Sequence, residues 1–269
     1  MPATAVGQHP LPGAGPTRRA RPGLEVLLVL GVSLGESAVY SVLRIVDRLT
    51  RTESLAQQTS QTTGSVTPDR PWLDLAYKLA GIALPLVPVA LCLYLLWAAP
   101  GSRVFGGRPV SLGFDLRRPG FDLGRGVLLA AAIGIPGLGF YLLSRQLGIN
   151  TTVQAGNLAE NWWTVPVYVL SAAMNGVLEE VIMIGFVLTR LRQIGWSWWL
   201  AIGVSALVRG SYHLYQGFGG FAGNLVMGVA FAALFLRWKR TGPLVVAHTL
   251  LDVVAFVGYA LVASRVTWL

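Results

Sequence analysis

Residues 73–98 read LDLAYKLAGIALPLVPVALCLYLLWA, and after Lys78 the run holds no charged side chain. Coiled as a helix at ~1.5 Å per residue, a stretch of this length covers the ~30 Å hydrocarbon core of a bilayer. Six further apolar blocks accompany it, at Leu24–Val46, Gly126–Leu147, Val165–Leu191, Trp199–Gln216, Phe221–Leu236 and Leu244–Val262. Charged residues make up 12% of the chain and hydrophobic ones 54%, whereas a soluble domain carries roughly 25% charged residues. So few charges cannot coat a globule, and lipid must act as part of the solvent. The expected fold is an all-α, polytopic membrane helical bundle of about seven transmembrane helices.

The formal net charge of +9 comes from 21 Lys and Arg against 12 Asp and Glu. The basic residues gather between apolar blocks, as they do in cytoplasmic loops of membrane proteins. This pattern is a topology signal and a contact with anionic lipid, so no nucleic-acid partner is expected. Cys92 is the single cysteine and lies inside an apolar block, which excludes an intramolecular disulfide and a thiolate metal cluster.

Residues 1–22, rich in Pro, Gly and Ala and carrying Arg18, Arg19 and Arg21, are read as a disordered cytoplasmic tail. No small-x-small cleavage site follows the first apolar run, so the first helix is expected to stay uncleaved. Arg103–Arg125, Arg190 with Arg192, and Arg237 with Lys239 and Arg240 form cytoplasmic loops in this reading. Gly148–Thr164 lacks Lys and Arg and falls outside, as does Tyr215–Gly220. The chain is expected in the plasma membrane, multi-pass, with a cytoplasmic N-terminus. Arg44, Arg48 and Arg51 break the pattern, falling outside ahead of the polar run Gln57–Thr67. That segment is an extension of the first helix or an eighth, interfacial or re-entrant element.

Ionisable side chains at membrane depth cost at least ~2.5 kcal/mol for Asp, Lys or Arg and default to functional roles. Of three histidines, His213 and His248 lie inside late apolar blocks, and Glu179 and Glu180 lie in the fourth. Adjacent helical residues diverge by ~100°, so one glutamate can face a cavity while its neighbour meets another helix. His248 and Asp252 share a helical face at i,i+4 spacing. Two imidazoles and three carboxyls on separate helices suit general acid–base chemistry or metal ligation. Arg209, one turn before His213, can hold either glutamate ionised. Asp74 and Lys78 read as a structural i,i+4 pair, and Glu36 has no assigned role.

The ordered set Glu179-Glu180 with Gly185, Arg209-Gly210-Ser211-Tyr212-His213-Leu214-Tyr215-Gln216-Gly217 and Gly242-Pro243-Leu244-Val245-Val246-Ala247-His248-x3-Asp252 resembles the CAAX-protease and bacteriocin-processing (CPBP, or Abi) family. That family includes the type II CAAX prenyl endopeptidases and lysostaphin-resistance-like proteins. Leu112-Gly113-Phe114 is also typical, and the likeness covers about residues 110–262. It divides the chain into the tail, N-terminal membrane helices at 23–109, a catalytic membrane core at 110–262 and a short C-terminal tail at 263–269. It implies an intramembrane endopeptidase acting on a membrane-associated peptide or protein. In that likeness Glu179 is the catalytic glutamate and Glu180 its partner. His213 joins Glu179 in activating water, and His248 and Asp252 match the pair that stabilises the oxyanion.

Two positions depart from the family pattern. Ile184 stands where EExxxR calls for arginine, and Arg209 replaces the usual aromatic one turn before His213. The positive charge is therefore expected to have moved to Arg209. No cofactor is required in the preferred mechanism; the alternative places a zinc ion on His213, His248 and Asp252, with a glutamate as base. The non-enzyme alternative is a catalytically silent membrane binding or immunity protein, or a small transporter, of the same fold.

Overall fold

The computed structural model describes residues 21–98, 112–154 and 161–258. The expected tail before Arg21, Arg103 and Arg108 of the basic loop, and the C-terminal tail lie outside these residues. Helix α1 (Pro22–Gly31) meets α2 (Leu34–Leu49) at 51°. α3 (Pro71–Ala83) runs on into α4 (Leu86–Ala98), and α5 spans Pro119–Gln146. α6 (Thr164–Glu179) passes through a π-helical segment, Glu180–Val187, into α7 (Leu188–Gln193). α8 (Trp198–Tyr212), α9 (Phe218–Trp238) and α10 (Gly242–Val253) complete the bundle, α10 ending in a second π segment, Val254–Gly258.

The chain is mostly helical, as expected of a membrane bundle. By length and composition, four helical runs can cross a membrane: Pro71–Trp97, Pro119–Gln146, Thr164–Gln193 and Phe218–Trp238. The bent pair α1–α2 makes a fifth if taken as one span. The seven apolar blocks do not all become long helices, because α8 and α10 are short. α8 stops at Tyr212, and the chain turns back through a 3-10 turn at Leu214–Gln216. A helix of 15 residues rises only ~22 Å, so His213 ends it inside the bundle.

The polar run after α2 is not a further membrane helix. It forms a 3-10 turn (Leu55–Gln57) and strand β1 (Thr59–Gln61), paired in parallel with β2 (Thr152–Gln154). This small sheet caps the turn that carries His213. Ser60 donates to the Tyr215 carbonyl at 2.9 Å, the Tyr215 amide donates to Ser41 Oγ at 2.7 Å, and the Thr151 amide donates to the Gln216 carbonyl at 2.8 Å. Two of the three arginines that break the charge pattern are tied down at this end. Arg48 donates to Gln58 Oε1 and the Thr59 carbonyl, and Arg51 pairs with Asp47. Asp74 bonds Lys78 at 2.8 Å and also accepts from Ser65 Oγ and the Val66 amide, the structural role its spacing suggested. Glu36 is exposed.

At the opposite end, Arg240 binds Asp122 at 2.6 Å and Asp115 at 3.0 Å. The Thr241 amide donates to the Leu112 carbonyl at 2.8 Å. Gly113 makes this docking feasible. Its φ is +60°, and a Cβ there would lie 2.5 Å from Arg240 Cγ. The Leu112-Gly113 segment thus fixes where α10 begins, and with it the height of His248.

Candidate active site

The π segment opens directly after Glu179, and all eight of its residues are buried. Such insertions into helices recur at functional sites because the extra residue re-aims the side chains around it. Val181, Ile182, Met183, Ile184 and Phe186 pack into the main core with Phe231, Phe235, Leu244 and Ala247. The helix is thereby held rigidly at the point where the two carboxyls leave it. Ile184, where the family pattern has arginine, is 1% exposed and belongs to this apolar core.

The five residues singled out in the sequence come together. Glu179 and Glu180 leave α6 and the π segment, His213 sits on the C-cap of α8, and His248 and Asp252 project from α10. Arg209 stands at their centre and is fully buried. Its Nη1 donates to Glu180 Oε1 at 2.8 Å, and its Nη2 lies 3.4 Å from Glu179 Oε2. The guanidinium also rests over the Phe231 ring, 5.4 Å from the centroid. Space for it comes from Gly228, where a Cβ would come within 3.0 Å of Arg209 Cδ.

Glu180 Oε1 also meets His248 Nδ1 at 2.7 Å. Since that oxygen already accepts from a guanidinium, His248 Nδ1 is the donor in this bond. A carboxyl oxygen bound to one ring nitrogen fixes the aim of the other. His248 Nε2 is thus turned toward Glu179 Oε2, 4.0 Å away, and Asp252 Oδ1, 3.8 Å away. His213 Nε2 is 3.7 Å from Glu179 Oε2 and is buried with no hydrogen-bond partner. Both imidazoles therefore face one carboxylate oxygen at distances too long for a direct bond.

Two contacts were not read from the sequence. Tyr212 donates its hydroxyl to Glu179 Oε2 at 2.7 Å, and Asn175 Nδ2 lies 2.9 Å from Asp252 Oδ2. Both had a signal in hand: Tyr212 precedes His213, and Asn175 lies four residues before Glu179, on the same helical face.

Metal ligation was tested against the donor set. Among the described residues, Glu179, Glu180 and His248 are the group whose ligating atoms all lie within 4.8 Å of one another. The expected trio of His213, His248 and Asp252 is not such a group. The Glu179–Glu180–His248 group already holds Arg209, 2.8 Å from Glu180 and 3.2 Å from His248 Nδ1. A guanidinium is thus the cation that this group engages.

The family model of type II CAAX prenyl endopeptidase Rce1-like proteins matches residues 161–254. Over this segment the chain is similar to that family. The matched residues run from the approach to α6 through α10 and contain every residue of the buried cluster. No curated protein and no solved structure matches the chain. Within the matched segment, Arg209 reaches the glutamate pair from α8, and Ile184 packs in the apolar core.

Proposed function

We propose that the protein is an intramembrane endopeptidase that hydrolyses a peptide bond in a membrane-associated substrate without a metal ion. The observation that carries this reading is the convergence of Tyr212, Arg209, His213 and His248 on Glu179 Oε2, at 2.7, 3.4, 3.7 and 4.0 Å. Glu179, with His213, removes a proton from water. The water oxygen bonds to the scissile carbonyl carbon, the C–N bond breaks, and the proton passes from Glu179 to the leaving amine. Glu180 positions His248 through Nδ1. His248 Nε2, protonated, donates to the oxyanion that forms during attack. In such a site, donors held in advance where charge develops supply much of the rate enhancement.

Arg209, together with protonated His248, balances the charge of the carboxylate pair at this depth. The substrate class follows from the family likeness and the buried position of the site: a peptide tethered to the bilayer, by a prenyl group or another anchor. The end bearing Arg190, Arg192, Lys239 and Arg240 is proposed to face the cytoplasm of the plasma membrane, with the β1–β2 cap on the other side.

The test uses the full chain in liposomes with two internally quenched peptides, one farnesylated with a CAAX terminus and one anchored by an apolar segment. Wild type cleaves at least one, Glu179→Gln and His213→Ala cleave neither, and chelators leave wild-type turnover unchanged. Equal cleavage by wild type and Glu179→Gln would sink the proposal, and loss of turnover on chelation would sink its metal-free mechanism.

A further inference from the structure

We infer that Asn175, held in place by Asp252, donates a hydrogen bond to the developing oxyanion. This rests on the endopeptidase reading of the same site. A carboxylate only accepts hydrogen bonds, whereas a primary amide carries two N–H groups and one acceptor. Asn175 Nδ2 lies 2.9 Å from Asp252 Oδ2, so one N–H is engaged there. That bond orients the amide with its nitrogen toward α10 and leaves the second N–H for another acceptor.

The placement comes from how two helices cross. Asn175 lies one turn before Glu179 on α6, and Asp252 lies one turn after His248 on α10. The helices run in opposite directions, so the residues stack as successive rungs: the glutamates with His248, then Asn175 with Asp252. Gly176 lets the backbones approach this closely, since a Cβ there would fall 2.7 Å from Thr249 Oγ1 and 3.0 Å from the Val245 carbonyl. Asn175 and Asp252 are partly exposed while Glu180 and Arg209 are sealed. The Asn175 rung thus lies on the open side of the cluster, where a substrate carbonyl beside His248 Nε2 comes within reach. Asp252 becomes a positioning residue, acting through the amide it holds.

The experiment exchanges the donor across the rung, with the full chain in liposomes and the two quenched peptides named above. Asn175→Ala is expected to lower kcat by about 10²–10³-fold, as loss of one oxyanion donor does elsewhere, with KM nearly unchanged. Asp252→Asn in the Asn175→Ala background restores a donor but no inter-helix bond, and is expected to recover at least tenfold. Asp252→Ala breaks the same inter-helix bond yet keeps the amide, and loses less kcat than Asn175→Ala. Wild-type kcat in Asn175→Ala, or a double variant as slow as that single one, would overturn the inference. So would equal losses in Asn175→Ala and Asp252→Ala, the signature of a purely structural contact. If Glu179→Gln is inactive while Asn175→Ala is not, only this inference falls. If Glu179→Gln is as active as wild type, the endopeptidase reading falls with it.

Discussion

Replacing Arg209 with leucine removes the guanidinium that touches both glutamates. The Arg209 and Glu180 side chains are 1% and 0% exposed, so solvent cannot take over the charge. An exposed ion pair contributes ~0–1 kcal/mol; breaking a buried one costs about 3–5 kcal/mol, because the remaining charge has no partner. Glu180 Oε2 already lacks a hydrogen-bond partner, and loss of Arg209 would leave Oε1 with His248 alone. On the scale of soluble domains of this size, that cost corresponds to a fall in melting temperature of about 6–20 °C. The assay is thermal unfolding in detergent for Arg209→Leu, Glu180→Gln and the double variant. The double variant should melt above Arg209→Leu, since neutralising Glu180 removes the stranded charge. Activity should be lost in both variants lacking Arg209. An Arg209→Leu protein with wild-type melting and wild-type cleavage would refute the view that this arginine replaces the one missing at Ile184.

Further outcomes can be checked in the same preparations. Tyr212→Phe deletes the 2.7 Å bond to Glu179 at a buried site, a loss of about 1–3 kcal/mol. If that bond orients the base during catalysis, kcat falls roughly 5–150-fold, read from initial rates. Gly176→Ala forces α6 from α10 and should destabilise by about 1–3 kcal/mol; Gly137→Ala, where a Cβ meets nothing within 4 Å, should melt at or slightly above wild type. The Asp115 carboxyl is held below its ordinary range by the Arg117 backbone N–H and by Arg240. A carboxyl depressed in the folded state adds stability above its unfolded pKa of ~3.9 and loses it as pH falls through the folded value. Melting curves for wild type should therefore drop more steeply below about pH 4 than those of Asp115→Asn.

The sequence carried the class and the parts list. Apolar blocks of spanning length, sparse charge and basic loops require a helical membrane protein whatever the details of packing, because a chain of this composition cannot be solvated by water alone. Glu179, Glu180, His213, His248, Asp252 and Arg209 could be picked out because ionisable groups at membrane depth are costly and seldom incidental. The i,i+4 relation of His248 and Asp252 was legible too, being a property of one helix. Contacts between helices were not. That Arg209 bonds Glu180 rather than Glu179, that Tyr212 reaches Glu179, and that Asn175 faces Asp252 all depend on the crossing of α6, α8 and α10. Those crossings are set by glycines at Gly176 and Gly228, by a π segment that re-aims the glutamates, and by the early stop of α8 under a small β cap. Helical periodicity records which residues share a face. The angle and height at which two faces meet arise from packing of side chains far apart in the chain, and only the folded bundle decides them.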